Sequence, residues 1–367
     1  MPHPQKLLGM EIPSIKVQLK DQSQWKTLPP YQQLGFGKYF SDHWFSAQFT
    51  ETKGWASAKV EPYQNMSLDP AAAVFHYGQA LFEGMKAFRR ADGSIWLFRP
   101  EFNSHRFNDG ASRLCMQSVP EELFLKGIKS VVEADARWVP KESGCALYIR
   151  PTLVGTEAFL GVRPSHEQLF FVILSPVGSY YSEGSAPVKI WVEHNAIRAA
   201  TGGLGAIKAG ANYAASLQAA LHAKKQGYAQ VLWLNVDHQG IEEVGTMNVF
   251  FVFKNEIVTP ALNGSILPGG VRDSVLHLLR HWNKPVMERR ITISEVHERH
   301  LKGELVEAFG TGTAATISRI GELQWKTERM ILGEQHQLSQ EILDTLTGIQ
   351  MGTLPDQFGW MRSLQSL

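Results

Sequence analysis

Short runs of β-branched and aromatic residues alternate along this chain with longer helix-patterned stretches, punctuated by glycine, proline and aspartate. That rhythm restricts it to folds that lay helices against sheets. Strands are expected at Trp44 to Phe49, Ala87 to Arg90 and Ile95 to Phe98, the last two joined through Ala91, Asp92 and Gly93. Pro100 opens an expected helix carrying Arg106 and Arg113, and a second helix is expected from Glu121 to Trp138, stopped by Pro140. Strands Ala146 to Val154 and Leu169 to Ser175 follow. The stretch 178–187, Gly-Ser-Tyr-Tyr-Ser-Glu-Gly-Ser-Ala-Pro, is the strongest linker signal in the chain. Beyond it come strand Val188 to Val192, a glycine-rich loop, helix Tyr213 to Gln226 closed by Gly227, and strands Gln230 to Leu234 and Asn248 to Phe253. Helix Val271 to Trp282 and strand Val286 to Ile291 complete the pattern. The expected fold is α/β with mixed sheets in two domains. A small N-terminal domain spans 1–182, with an irregular lead-in over 1–30, a linker spans 183–187, and a larger C-terminal domain spans 188–367. A small-molecule site is expected at their seam.

Composition narrows the function classes. Thirty-six Lys and Arg against 35 Asp and Glu leave a net charge of +1, too small a field to recruit nucleic acid or an acidic membrane. The chain is 44% hydrophobic and 19% charged, which excludes disorder, and no apolar run is long enough to span a bilayer. Cys115 and Cys145 cannot build a disulfide framework or a four-thiolate metal site. With no targeting signal readable at the N-terminus, a cytoplasmic address is expected.

Four stretches carry residues suited to chemistry. In Thr201 to Asn212, Thr-Gly-Gly-Leu-Gly-Ala-Ile-Lys-Ala-Gly-Ala-Asn, Lys208 is the only charge. Ile207 and Ala209 flank it where a nucleotide phosphate loop needs Gly and Ser or Thr, so that motif fails. Lys208 is then either an exposed cation on a loop or a buried, desolvated amine able to attack a carbonyl. Tyr213 would lie near it. In Glu242-Glu243-Val244-Gly245-Thr246-Met247-Asn248, adjacent carboxylates at a strand entrance are either both turn-edge solubilisers or on opposite sides, one solvated and one facing inward toward a cation such as a protonated pyridine nitrogen. Leu267-Pro268-Gly269-Gly270-Val271 at a helix start, and Gly310-Thr311-Gly312-Thr313-Ala314-Ala315 after a strand, offer backbone amides to an anion. Arg106 could reach the same anion, or be a solvated surface side chain. The histidines, His76, His105 and His194 among them, show no metal-ligand spacing, so no metal is expected. There is no Gly-x-Ser-x-Gly elbow and no dinucleotide fingerprint.

Together these stretches, with Phe36-Gly37-Lys38, Tyr77, Leu81-Phe82-Glu83-Gly84-Met85-Lys86-Ala87, Phe98-Arg99-Pro100 and Tyr148-Ile149-Arg150-Pro151, resemble the branched-chain amino acid aminotransferases of the fold type IV pyridoxal-phosphate class. The resemblance covers roughly residues 30 to 350. It implies a homodimer that transfers the amino group of leucine, isoleucine or valine to 2-oxoglutarate by a ping-pong Schiff-base mechanism. Lys208 corresponds to the lysine that holds the aldehyde of pyridoxal 5'-phosphate, Glu243 to the carboxylate at the ring nitrogen and Tyr213 to the phenol beside the ring oxygen. Arg106, Thr246, Leu267, Gly270, Val271 and Thr313 correspond to cofactor contacts, mostly at the phosphate. Phe36, Tyr77, Phe82, Tyr148 and Tyr180 are implied around the side-chain pocket, with Leu160 and Val162 reaching over from the partner subunit. Arg150 is implied at the second carboxylate of 2-oxoglutarate, and the Thr313 and Ala314 amides, helped by Tyr77, at the α-carboxylate. A D-amino acid aminotransferase and an aminodeoxychorismate lyase are alternatives within the fold class. A phosphate-ligand binding protein without catalysis is the alternative outside it. Ala315, Thr316, Ile317 and Ser318 stand where vertebrate members carry Cys-x-x-Cys, so no thiol switch is expected there.

Overall fold

The computed structural model describes residues 12–178, 186–333 and 336–367. The first half lays down β1 (Lys16–Val17), β2 (His43–Thr50), β3 (Gly54–Pro62), helix α1 (Ala73–Tyr77), β4 (Ala80–Phe82), β5 (Met85–Arg89) and β6 (Ile95–Phe98). Helices α2 (Pro100–Arg113) and α3 (Glu121–Ala134) follow, then β7 (Ala146–Gly155) and β8 (Glu167–Val177). The second half runs β9 (Val188–Val192), α4 (Gly210–Lys225), β10 (Gln230–Leu234), β11 (Ile241–Val244), β12 (Met247–Phe253), β13 (Ile257–Thr259), α5 (Gly270–His281), β14 (Val286–Glu288) and α6 (Ile293–Leu301). It ends with β15 (Leu305–Gly312), β16 (Thr316–Trp325), β17 (Glu328–Ile331), α7 (Gln337–Met351) and β18 (Met361–Ser363). The mixed α/β class expected from the sequence is what the chain adopts.

The first sheet has the order β1-β3-β2-β8-β7-β5-β6-β18, with β4 beside β7. Alternation puts Phe45, Leu97, Leu147 and Phe170 on one face, where α2 and α3 cover them with Phe107, Phe124 and Val131. On α3, Gly127 is what lets the helix approach: a Cβ there would lie 2.7 Å from the Phe45 ring. The helix expected to run to Trp138 stops at Ala134, because Asp135 turns inward. Its carboxylate accepts from the His43 backbone N–H at 2.8 Å and meets the ring Nδ1 at 2.7 Å, and a 3-10 turn follows.

The second sheet is ordered β11-β10-β9-β16-β15-β12-β13-β14, and β11 also pairs with β12. That extra pairing closes six strands into a ring around Ile190, Leu232, Val249, Phe251 and Leu323. Closure is the feature the sequence pattern could not give, since it depends on which distant strands meet. The strand expected to reach Ile291 ends at Glu288. A third core joins the halves: Phe88, Ala146 and Tyr148 from the first sheet pack with Val275 and Leu279 of α5 and Ile342 and Leu346 of α7. The last strand, β18, returns to pair with β6, so the chain end expected in a C-terminal unit completes the first sheet instead. Of the expected linker 183–187, residues 183–185 lie outside the described residues.

Gly127→Ala should lower stability by about 1–3 kcal/mol, because the added methyl must displace the Phe45 ring or push α3 off the sheet. Urea unfolding of the variant beside the parent chain measures this directly, and an unchanged midpoint would mean that α3 is not seated as described.

Candidate active site

Lys208 sits at the end of the loop between β9 and α4, two residues before that helix begins. The loop is held from the other half of the molecule: Phe82 N–H of β4 donates to the Lys208 carbonyl at 3.1 Å, and Leu81 bridges Ala209. The ammonium donates to the Tyr213 hydroxyl at 2.8 Å and lies over the Phe82 ring, 4.9 Å from its centroid. Burial, and then the nearby Arg106 guanidinium, push the Lys208 pKa down, with Glu83 opposing. Burial raises the Tyr213 phenol, and the Glu243 charge raises it further. Of the two sequence readings of Lys208, the structure favours the desolvated amine, half-buried at the wall of a cavity and not an exposed loop cation.

Glu243 lies on β11 beneath this pair and is 3% exposed. Its Oε1 accepts from the Leu267 backbone N–H at 2.8 Å and pairs with Arg198 at 3.3 Å. Burial pushes its carboxyl up against these partners. Glu242, expected to be solvated, is also buried, at 2%. The expectation failed because β11 is no strand entrance. It is paired on both sides within the closed ring, its register slips between Trp233 and Leu234, and Ser265 and Asn263 cover Glu242 with hydrogen bonds. Arg198 carries no motif and was missed by sequence reasoning; its guanidinium also reaches the Gly205 carbonyl at 3.1 Å and the Ser265 carbonyl.

Arg106, on α2, is buried rather than solvated. Its Nε and Nη2 make a two-pronged pair with Glu83 at 2.7 and 2.8 Å, while Nη1 donates to the Pro268 carbonyl at 2.9 Å. Glu83 is fully buried and also accepts from Asn103 at 2.7 Å. Burial alone would raise its carboxyl, but Arg106 holds it below the usual range. Beside Pro268, the bare amides of Gly270 and Val271 open α5. Arg99 steadies that turn through the Gly270 carbonyl at 3.2 Å, Ser274 at 2.8 Å and Asp273 at 2.6 Å. Gly269 is obligatory by contact, since a Cβ there would fall 2.1 Å from the Asn248 side-chain oxygen.

These groups surround a cavity of about 450 Å³. Lys208, Arg106, Tyr213, Thr246, Leu267, Gly270, Val271, Thr313, Ala314, Phe36, Phe82, Tyr148 and Arg150 all line it, and Glu243 lies just behind. Gly84 leaves room for the Tyr148 hydroxyl, which a Cβ would meet at 1.9 Å. Gly310 to Gly312, expected to follow a strand, are the end of β15 itself, with Thr313 to Ala315 forming the turn. Two polar groups at this cavity have no partner among the described residues: Arg150 Nε and the Thr311 hydroxyl, the latter 1% exposed. A buried donor left open at a cavity wall is what an anionic ligand would satisfy. Tyr77 does not line this cavity: it stands on the surface with Leu160 and Val162, the three 43%, 62% and 87% exposed, and its hydroxyl is bonded to the Leu160 carbonyl. Leu160 and Val162 were expected at the partner subunit's pocket, and their own chain's cavity does not test that. Tyr77 therefore belongs with the Leu160 loop and not with its own chain's pocket. Tyr180 lies outside the described residues.

A sequence profile of the class IV amino-transferases matches residues 80–323. Branched-chain-amino-acid aminotransferase 2 of Bacillus subtilis (strain 168) is 49% identical over 96% of this chain and 98% of its own. The branched-chain-amino-acid aminotransferase of Mycolicibacterium smegmatis is 44% identical over 90% of this chain and 92% of its own. In fold, the chain is similar to the branched-chain aminotransferase of Thermoproteus uzoniensis solved with norvaline, at a TM-score of 0.72 and 24% identity over 87% of this chain and 99% of that one. It is similar also to that of Thermobaculum terrenum in its PLP form, at 0.70 and 23% over 87% and 98%.

Glu83→Gln would leave the Arg106 cation buried without its counter-charge, and stability should fall by about 2–4 kcal/mol. Because Glu83 is held below its ordinary value of 4.5, its contribution is present above that pH and is lost as pH falls through the lower folded value. Urea unfolding between pH 3 and 7 should show the variant losing less on acidification than the parent. Parallel acid limbs would contradict the pairing.

Proposed function

The chain belongs to the class IV aminotransferases, among the branched-chain-amino-acid aminotransferases, and on that premise we propose that it exchanges the amino group of leucine, isoleucine and valine with 2-oxoglutarate, yielding branched-chain 2-oxo acids and L-glutamate. The observation that carries this reading is the desolvated Lys208 amine, held by the Tyr213 hydroxyl with the carboxylate of Glu243 behind. Pyridoxal 5'-phosphate, when bound, supplies an aldehyde that condenses with an amine and a ring that takes up an electron pair. The residues present suit it. Arg106 keeps donors beyond those used by Glu83 and Pro268, and with the Gly270 and Val271 amides and the hydroxyls of Thr246 and Thr313 it would hold the phosphate. The contacts of Glu243 fall on Oε1, which leaves Oε2 to hold a proton on the ring nitrogen.

A depressed pKa leaves a larger share of Lys208 neutral at working pH. Neutral Nζ would be the amine that meets the cofactor's aldehyde, water being expelled, and as a free amine it would be the base for the proton on the substrate Cα. Phe36, Phe82 and Tyr148 exclude water and offer a branched aliphatic chain an apolar wall. Arg150 would meet the second carboxylate of 2-oxoglutarate, and the Thr313–Ala314 amides the first. The active form is a homodimer in this reading. Leu160 and Val162, together with Tyr77, would close the partner's pocket, and Leu217 and Leu221, exposed one turn apart on α4, fit an association surface. A cytoplasmic setting is part of the proposal, in keeping with two free thiols.

Borohydride reduction after incubation with pyridoxal phosphate should add a pyridoxyl mass to Lys208 alone, located by peptide mass spectrometry. Protein that stays unmodified would sink the assignment. Arg150→Met should raise the KM for 2-oxoglutarate by roughly tenfold or more while changing that for leucine far less. Equal effects on both substrates would move the second-carboxylate contact elsewhere.

A further inference from the structure

On β5, Met85 and Ala87 are buried in the first core, so the intervening Lys86 faces the other way, toward the second half of the molecule. There its ammonium donates to the Ala314 carbonyl at 2.8 Å, across 228 positions of sequence. Ala314 lies in the turn 313–315 between β15 and β16 and is a thin wall between two spaces. One is the cavity above Lys208. The other, of about 390 Å³, is lined by Lys86 with Cys145, Thr316, Ser318 and Gln350.

Two further observations bear on that contact. Thr316, which closes the turn, has φ +60, a region that a β-branched residue adopts only under constraint. The turn therefore needs an outside hold, and the Lys86 bond supplies one by fixing the plane of the Ala314–Ala315 peptide. Lys86 also has no carboxylate within ion-pair reach among the described residues. Removal from water takes its ammonium down to about 8, so near neutral pH an uncompensated positive charge stands directly behind the turn.

We propose that Lys86 is a positioning residue for the substrate carboxylate, its ammonium holding the 313–315 turn from behind while its unpaired charge favours an anion on the turn's cavity side. This rests on the aminotransferase reading, which is what places a carboxylate there. Nothing in the motif Glu83-Gly84-Met85-Lys86 itself gives the lysine that task; it follows from the cross-molecule contact.

The test uses holoenzyme of the parent chain, Lys86→Met and Lys86→Arg, with leucine turnover and inhibition by 4-methylvalerate, a branched carboxylic acid with no amino group to react. Lys86→Met should raise the leucine KM and the inhibitor Ki together by about tenfold. It should leave kcat within about threefold and the visible cofactor band unmoved, and Lys86→Arg should recover most of the loss. An unchanged Ki, with only the melting temperature lowered, would reduce the lysine to a tie between the two halves and overturn the proposal. Should Lys86→Met fail to fold, Lys86→Gln is read the same way: a raised Ki supports the role and a parental Ki overturns it. Whether the parent chain turns over leucine at all is scored separately, so failure of the aminotransferase reading is not mistaken for failure of this one.

Discussion

Keeping one amine out of water is the constraint around which this site is arranged. A lysine desolvated beside two arginines would stay charged only at high cost, and the structure answers by pushing its pKa down and by distributing negative charge around it. Glu83 is matched to Arg106, and Glu243 to Arg198, in each case by a direct contact. Arg150 has no carboxylate partner among the described residues and shares its Nη2 only with the Tyr148 hydroxyl at 3.1 Å. The balance of the cavity is therefore positive, which suits ligands that carry phosphate or carboxylate groups.

The fold makes that arrangement hard to vary. Lys208 comes from a loop of the second half but is tied by its own carbonyl to β4 of the first, so the amine cannot shift without moving both sheets. Phe88 and Tyr148 share a core with α5, whose first turn carries the Gly270 and Val271 amides. Within each half, side chains are removed beside the cavity: Gly84 admits the Tyr148 hydroxyl in the first and Gly269 admits Asn248 in the second. The wall at 313–315 is gripped by Lys86 from the far side. The cavity is thus defined by contacts between elements far apart in sequence, which is why its exact membership is a tertiary property.

That explains what could be read beforehand. Strands β2, β5, β6, β7 and β8, helix α2 and the loop before α4 follow from local alternation and breakers, while β1, β3, β4 and β18 were not expected, and Lys208 stood out as the only charge in a glycine-rich stretch. The partners of these residues were not legible. Arg198 and Glu83 look like ordinary surface charges until the fold buries them, and adjacency alone could not reveal that Glu242 and Glu243 sit in a strand paired on both edges. Tyr77 lies off its own chain's cavity for a related reason: it is exposed, and its hydroxyl is bonded to the Leu160 carbonyl, a tertiary contact that no local motif announces.

Under the proposed exchange with 2-oxoglutarate, one pocket would take an aliphatic side chain and a carboxylate-bearing one in the same place, and the surroundings of Arg150 fit both. Its guanidinium lies 4.6 Å from the Phe82 centroid and 5.2 Å from that of Tyr148, a cation in an aromatic setting. With leucine bound, a weakly hydrated plane of this sort would be a tolerable neighbour for methyl groups. In the proposed reaction, the unsatisfied Nε–H and the edge of the same guanidinium would be the donors to the second carboxylate of 2-oxoglutarate. One side chain would thus present an apolar face or a polar edge without leaving its rotamer, and the pocket would not have to be rebuilt between the two halves of the proposed ping-pong cycle.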